Sequence, residues 1–228
     1  RDRVSDQPPA LPLFLREVGS FAYMRLRASF APRVKSAVSG DGRTIIVFPG
    51  FMASDRTTSR LRRTLKWAGF DVHGWGLGRN RGIRADTLEK VERQIKQRAL
   101  KGPVTLVGWS LGGLVAREYA KRFPDQIARV ITLGSPFSGS PRANNVWRVY
   151  ELVARHKVDA PPIDTFVSEK PPVKTIAFWS AKDGVVAPHS ARGLDGERDQ
   201  AIELDCTHMA FVADPDAIHA ITMAIIAD

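Results

Sequence analysis

Ser110 sits in the frame Gly108-Trp109-Ser110-Leu111-Gly112, which has the form G-x-S-x-G. An apolar run, Val104 to Val107, precedes it and reads as a buried strand, while the residues after Leu111 recur at helical spacing. A strand that turns at once into a helix presses its backbone against its neighbours, so a Cβ at either flank would clash and glycine is needed there. The serine hydroxyl is then held at the tip of the turn, near a helix N-terminus whose free N–H groups can bind developing negative charge. The bare five-residue pattern is weak by itself; the strand before it and the helix after it give it weight. A phosphate-binding loop is the rival reading of such a turn. It fails because no Gly-Lys-Ser/Thr follows and the spacing is not G-x-G-x-x-G.

A serine hydroxyl is a poor nucleophile until a base takes its proton, and that base needs a third group to fix its tautomer and stabilise its charge. Five histidines are available: His73, His156, His189, His208 and His219. His208 falls between the last expected strand and the last helix, which in a parallel sheet puts it on the same rim as Ser110. His189 is the competitor; His73 precedes the serine, His156 falls in an irregular insertion and His219 lies inside the terminal helix. For the acid, Asp183 follows a strand on that rim, although an aspartate before glycine is also an ordinary turn residue. Asp205 is the alternative, better suited to shaping the histidine loop. Chain order favours Ser110, Asp183, His208, the order of serine, acid and base that this strand arrangement demands.

The elements that must carry these residues alternate. Strands are expected at about 44–48, 70–74, 104–107, 127–133, 173–179 and 201–204, with helices near 57–67, 84–100, 111–123 and 214–227. Apolar strands separated by helices imply an α/β fold: a mostly parallel central sheet of about six strands, covered by helices on both faces. Residues 11–30 form an amphipathic stretch with Leu13, Phe14, Val18, Phe21, Met24, Leu26 and Phe30 on its apolar face, expected to pack on the core in preference to a membrane surface. Residues 1–40 are thus an N-terminal helix and linker. Residues 138–172 break the alternation with Pro161-Pro162, Pro171-Pro172 and a helix-like stretch from Asn145 to Arg155, and read as a cap over the strand ends.

The length of 228 residues suits a single domain, 1–228, with a sizeable core. The formal charge of +10 is spread along helical stretches that alternate with apolar positions, the pattern of solvated helix faces. With no RNA-binding aromatic signature and no zinc-ligand spacing, nucleic acid is not an expected partner, and no metal or organic cofactor is expected. A weak attraction to acidic or membrane surfaces is the more modest inference. No run is apolar enough to span a bilayer, the first residues are polar, and the one cysteine, Cys206, has no internal disulfide partner. Together these lean towards a reducing, cytoplasmic setting, with the true beginning of the chain open.

With these residues assembled, the sequence resembles the α/β-hydrolase superfamily, and within it the small bacterial lipases and esterases. The resemblance runs from about residue 44 to the end and rests on Phe48-Pro49-Gly50-Phe51, on Gly74-Trp75-Gly76-Leu77-Gly78-Arg79-Asn80, on the serine turn, on Gly134-Ser135-Pro136-Phe137, on Asp183-Gly184-Val185-Val186 and on Thr207-His208-Met209. It implies the α/β-hydrolase fold with a short helical cap and an acyl-enzyme mechanism on carboxylic esters, small-molecule or lipid. Pro49 stands where many relatives carry histidine. Two backbone N–H groups must face the developing oxyanion. One belongs to Leu111, directly after the nucleophile; the family pattern takes the other from the loop after the first core strand, matching Phe51, with Met52 the runner-up. Met52, Trp109 and Phe137 are candidates for an apolar acyl pocket, each equally plausible as core. Three functions stay open: an ester hydrolase (carboxylesterase or lipase), an acyltransferase using the same acyl-enzyme, and a non-catalytic module binding an apolar ligand, for which an intact serine, acid and histidine would be unnecessary.

Overall fold

The computed structural model describes residues 7–17, 40–98, 100, 102–140, 142–154, 157 and 167–227. Six strands form one sheet: β1 (Thr44–Phe48), β2 (Asp71–Gly74), β3 (Val104–Trp109), β4 (Ile127–Leu133), β5 (Lys174–Trp179) and β6 (Gln200–Glu203). Their order is β2-β1-β3-β4-β5-β6, and all five pairings are parallel. Each therefore ends on the same rim. The helices are α1 (residues 11–17), α2 (Ser59–Trp67), α3 (Thr87–Gln97), α4 (Leu111–Arg122), α5 (Trp147–Ala154), α6 (Pro188–Arg192), α7 (Ala210–Ala213) and α8 (Pro215–Ala227).

The four inner strands are largely apolar because both faces of the sheet are covered, whereas the edge strands β2 and β6 carry Asp71, His73, Gln200 and Glu203. Along β1, Ile45 and Val47 join the core with Leu61 and Leu65 of α2, Phe211 of α7 and Ile218 and Ile221 of α8. Ile46 and Phe48 point the other way, into the core with Leu88 and Val91 of α3 and Val115 and Tyr119 of α4. The pattern of period two in β1 thus feeds two separate cores.

Strand positions match the sequence expectation to within about two residues; α4 starts at Leu111 as expected, while α2, α3 and α8 start slightly later than the periodicity predicts. α3 begins at Thr87 and not near 84, because the Thr87 hydroxyl accepts the Arg84 N–H at 2.8 Å and closes a turn ahead of the helix. Of the expected N-terminal helix, residues 11–17 are helical, and 18–30 lie outside the described residues. Leu11 and Leu15 of α1 are exposed and Glu17 is buried, so this short helix meets the body along a partly polar face. The expected cap contributes α5, while residues 158–166 and His156 lie outside the described residues. The sequence pattern did not separate α6 or α7.

The order of strands fixes where a ligand crevice opens. β1 has its chain successor β2 on one side and β3 on the other, so the winding reverses between β1 and β3. The loops leaving these two strands diverge there and leave a cleft at the strand ends. Ser110 follows β3, and residues 49–53 follow β1.

Candidate active site

Ser110 occupies a strained turn. Its φ of 54° and ψ of −124° lie where L-residues are rarely found, between the last residue of β3 and the first of α4. The neighbours leave no room for a gentler turn. A Cβ on Gly108 would lie 2.3 Å from the Cα of Gly113, and one on Gly112 would lie 2.4 Å from the Phe48 carbonyl oxygen. The turn is pinned from β4 as well, since the Ser110 N–H donates to the Leu133 carbonyl at 2.9 Å.

The loop after β1 is shaped by Asn80, a buried residue of the glycine-rich stretch. Its Nδ2 donates to the Pro49 carbonyl at 2.8 Å, and its backbone carbonyl accepts the Met52 N–H at 2.7 Å. The two candidates for the second oxyanion donor are thereby distinguished: the Met52 N–H is committed to Asn80, whereas the Phe51 N–H makes no hydrogen bond among the described residues. Leu111 opens α4, where the N–H has no intrahelical acceptor. Gly50 brings the loop close, its Cα so near the turn that a Cβ would lie 3.2 Å from the Ser110 Cβ.

Asp183 and His208, 25 residues apart, meet in a buried pair. Oδ2 of Asp183 lies 2.7 Å from Nδ1 of His208, with side-chain exposures of 1% and 4%. The other oxygen of Asp183 accepts the N–H groups of Val185 and Val186, each at 2.8 Å, which fixes the carboxylate within its own loop. Trp109, next to the nucleophile, donates its indole N–H to the His208 carbonyl at 3.1 Å, and its ring centroid is 5.5 Å from the imidazole. Burial alone would push the His208 pKa down. The charge and hydrogen bond of Asp183, with a further contribution from Glu17, outweigh burial and hold it above the ordinary histidine value. Neither Ser110 Oγ nor His208 Nε2 is hydrogen-bonded among the described residues. Contacts of this kind often close only when a substrate is present.

The other candidates fall elsewhere. Asp205 is paired with Lys182 at the surface. His73 pairs with Asp71 at 3.0 Å, His219 lies in α8, and His189 lies in α6 beside a cavity of about 540 Å³ walled by Trp179, Arg192, Leu194 and Arg198. That cavity takes no part of its lining from Ser110, Asp183 or His208. Of the three candidate pocket residues, Met52 is 39% exposed with φ of 59°, on the rim of the cleft. Trp109 is buried in the core beside α7 and α8 while holding the histidine loop. Phe137 is 1% exposed, and the Arg117 guanidinium lies 4.2 Å from its ring centroid, a buried setting that agrees with the core alternative weighed for it in the sequence. Among the described residues, no group of His, Cys, Asp and Glu is arranged to hold a metal ion, and no helix is long and apolar enough to cross a membrane.

Sequence reasoning missed Glu17. This buried carboxylate of α1 accepts the backbone N–H groups of Gly184 and His208 through one oxygen, at 3.1 and 2.6 Å, and of Met209 through the other, at 3.3 Å. Its only signal was a lone acidic residue inside an apolar helical stretch.

Comparison with known proteins bears on the fold and on the reaction class. A family model described as the alpha/beta hydrolase fold matches residues 27–158, more than half of the chain. Among curated proteins, the chain is similar to a pimeloyl-[acyl-carrier protein] methyl ester esterase of Sodalis glossinidius, 46% identical over 67 residues. That match spans 29% of this chain and 24% of the relative. Among solved structures, a monoacylglycerol lipase of Paleococcus ferrophilus superposes with a TM-score of 0.58 at 17% identity, covering 83% of this chain and 96% of the other. A carboxylesterase of Bacillus subtilis does so with a TM-score of 0.58 at 11% identity, covering 94% and 98%. At these identities the superpositions speak for the fold alone.

Proposed function

The chain belongs to the alpha/beta hydrolase fold family, and from that premise we propose that it is a serine ester hydrolase acting on carboxylic esters through an acyl-enzyme. The observation that carries the reading is the buried pair of Asp183 and His208 at 2.7 Å, on the rim where Ser110 is held in a strained turn. Local likeness to a methyl ester esterase supports an ester as the substrate class. Residues 1–228 act as one domain in this proposal, with residues 138–172 as its cap.

In this mechanism, Nε2 of His208 takes the proton of Ser110 as Oγ bonds to the ester carbonyl carbon. The carbonyl π electrons move to oxygen, and the N–H groups of Leu111 and Phe51 receive that charge. Asp183 keeps Nδ1 protonated, so Nε2 is the free base, and it stabilises the imidazolium that results. When the tetrahedral intermediate collapses, the C–O bond to the alcohol breaks and His208 hands its proton to the departing oxygen. Water then repeats the sequence on the acyl-enzyme, releasing the acid and restoring Ser110. Met52, on the cleft rim, contributes to the acyl pocket.

The test is hydrolysis of a chain-length series of simple esters by the wild type, Ser110→Ala, His208→Ala and the double variant. Each single variant should lose turnover by roughly 10⁴-fold or more, with the double variant little worse, because members of such a set act as a unit. Turnover near that of the wild type in either single variant would overturn the reading. Running the series with and without an added alcohol separates hydrolysis from acyl transfer.

A further inference from the structure

α1 reaches the site from the far end of the chain. Its backbone lies directly on the acid loop: a Cβ at Gly184 would come within 2.2 Å of the Leu13 carbonyl oxygen. Asn145, just before α5, bridges the same place, donating Nδ2 to the Gly184 carbonyl at 2.7 Å and to the Pro9 carbonyl at 3.1 Å. At the end of this docked helix stands Glu17, 5% exposed and bonded to three backbone N–H groups from two different loops. One oxygen is shared between Gly184, next to the proposed acid, and His208 itself. Among the described residues, one other side chain ties these loops together through backbone groups: Ser180 donates its hydroxyl to the Cys206 carbonyl at 2.6 Å.

We propose that Glu17 is a positioning residue for the acid and histidine, holding their two loops in register through these N–H groups and setting a second negative charge beside His208. The inference rests on the triad reading above and adds to it a residue that lies before the span matched by the family model, which begins at residue 27. A salt link confined to the surface would not do this. A buried carboxylate that accepts three N–H groups fixes the backbone that aims the imidazole, because the bonds are charge-assisted, shielded from competing water, and shortest, at 2.6 Å, at His208 itself.

The electrostatic part follows from the groups around the imidazole. Asp183 faces it from the β5 loop and Glu17 from α1, and both raise its proton affinity against the opposing effect of burial. The neighbouring Cys206 thiol is pushed up, first by burial and then by Asp183, Asp214, Glu17 and Asp205, so it stays neutral over the working range. Asp205 is tied to Lys182, and Asp214 caps α8 by accepting the N–H groups of Asp216 and Ala217. Loss of the Glu17 charge therefore lowers the proton affinity of His208. Since the base works in its neutral form, the acid limb of the rate profile should move to lower pH.

The experiment compares full-length Glu17→Ala and Glu17→Gln with the wild type and Ser110→Ala, reading kcat, KM, the pH profile and a melting curve. Glu17→Ala should lower kcat by roughly ten- to a hundred-fold with KM little changed, the scale of a misaimed catalytic group. Glu17→Gln keeps the volume and one carbonyl acceptor; it should recover part of kcat, with its acid limb displaced to lower pH than in the wild type. If Glu17→Ala does not fold, Glu17→Gln decides alone by that displacement. A limb at the wild-type position with kcat within about twofold, whatever the melting temperature, overturns the proposal and leaves Glu17 a purely structural residue. Ser110→Ala separates the two levels: residual wild-type turnover there sinks the triad reading, whereas an inactive Ser110→Ala beside an unaffected Glu17→Gln sinks only the role of Glu17.

Discussion

The turn that carries Ser110 and the two loops that carry Asp183 and His208 share one rim, but they are held by different forces. Around Ser110 the constraint is steric and local: a Cβ at Gly108 or Gly112 would come within 2.3 or 2.4 Å of backbone atoms, and any chain with this strand, turn and helix must bend there. Around the acid and histidine the constraint is polar and distant. His208 takes its side-chain partner 25 residues away and its backbone partner 191 residues away. A steric turn can be recognised from five residues. A polar brace exists only after the fold has assembled it.

Asp183→Asn breaks the polar side of this contrast most directly and should have the largest effect. The amide cannot accept the Nδ1 proton as the carboxylate does, so the imidazole adopts the wrong tautomer and turnover should fall by about 10⁴-fold. Because Asp183 also raises the His208 pKa, any residual activity should have its acid limb at lower pH than the wild type. Asp205→Asn is the control. Its partner is Lys182 and it is largely exposed, so kinetics within a few-fold of the wild type are expected. Steady-state rates between about pH 5 and 9 check both; a more damaged Asp205→Asn would mean that the wrong carboxylate has been chosen.

The contrast also explains which parts of the molecule were legible in the sequence. The strands and their order along the chain were readable because the four inner ones are largely apolar runs covered on both faces, and because parallel strands return through helices of recognisable period. The pairing of Asp183 with His208, on the rim where Ser110 lies, was readable because a parallel sheet brings every strand end to one rim, so position after a strand stands in for position in space. Glu17 was not, since nothing in residues 11–17 reveals that three N–H groups near positions 184 and 208 await an acceptor. The surroundings of Phe137 were likewise hidden. Its partner, Arg117, lies in α4 and reads in sequence as one more basic residue of a solvated helix, yet it is buried, holding the carbonyls of Ser168, Glu169 and Glu197. That the Met52 N–H is bonded within its loop is due to Asn80, a residue the motif contained but whose bonds it did not display.

On the steric side, Gly112→Ala should be an effect of stability more than of chemistry. The added methyl meets the carbonyl oxygens of Phe48 and Pro49 at 2.4 and 2.7 Å, backbone atoms of a buried strand end that cannot swing aside. Overpacking of this kind costs about 1–3 kcal/mol. A denaturant midpoint lowered accordingly, with an unchanged pH profile for the folded fraction, is the expected result. An unshifted midpoint would show that the turn tolerates a side chain and that its glycines are not sterically required.

The smallest effect is expected at α5, where the same question of packing against chemistry is posed for the cap. One face of this helix is plainly structural: the Tyr150 hydroxyl accepts the Ile83 N–H at 3.3 Å, and its ring centroid is 5.3 Å from that of Phe51, on the loop proposed to supply an oxyanion donor. Leu152 faces away and is 80% exposed, a large apolar side chain that contributes little to the core. Leu152→Ala should therefore leave the melting temperature unchanged. If residues 138–172 select substrate, the same change should raise KM for the longest acyl chains by a few-fold, since each methylene of lost contact is worth about 0.8 kcal/mol, and leave kcat alone because the contact is equal in ground and transition states. Tyr150→Phe supplies the opposite signature. It removes the hydroxyl that accepts the Ile83 N–H, so the melting temperature should fall while the chain-length profile keeps its shape. A Leu152→Ala enzyme with an unaltered profile across short and long esters would remove α5 from substrate selection and leave it a helix packed on the body.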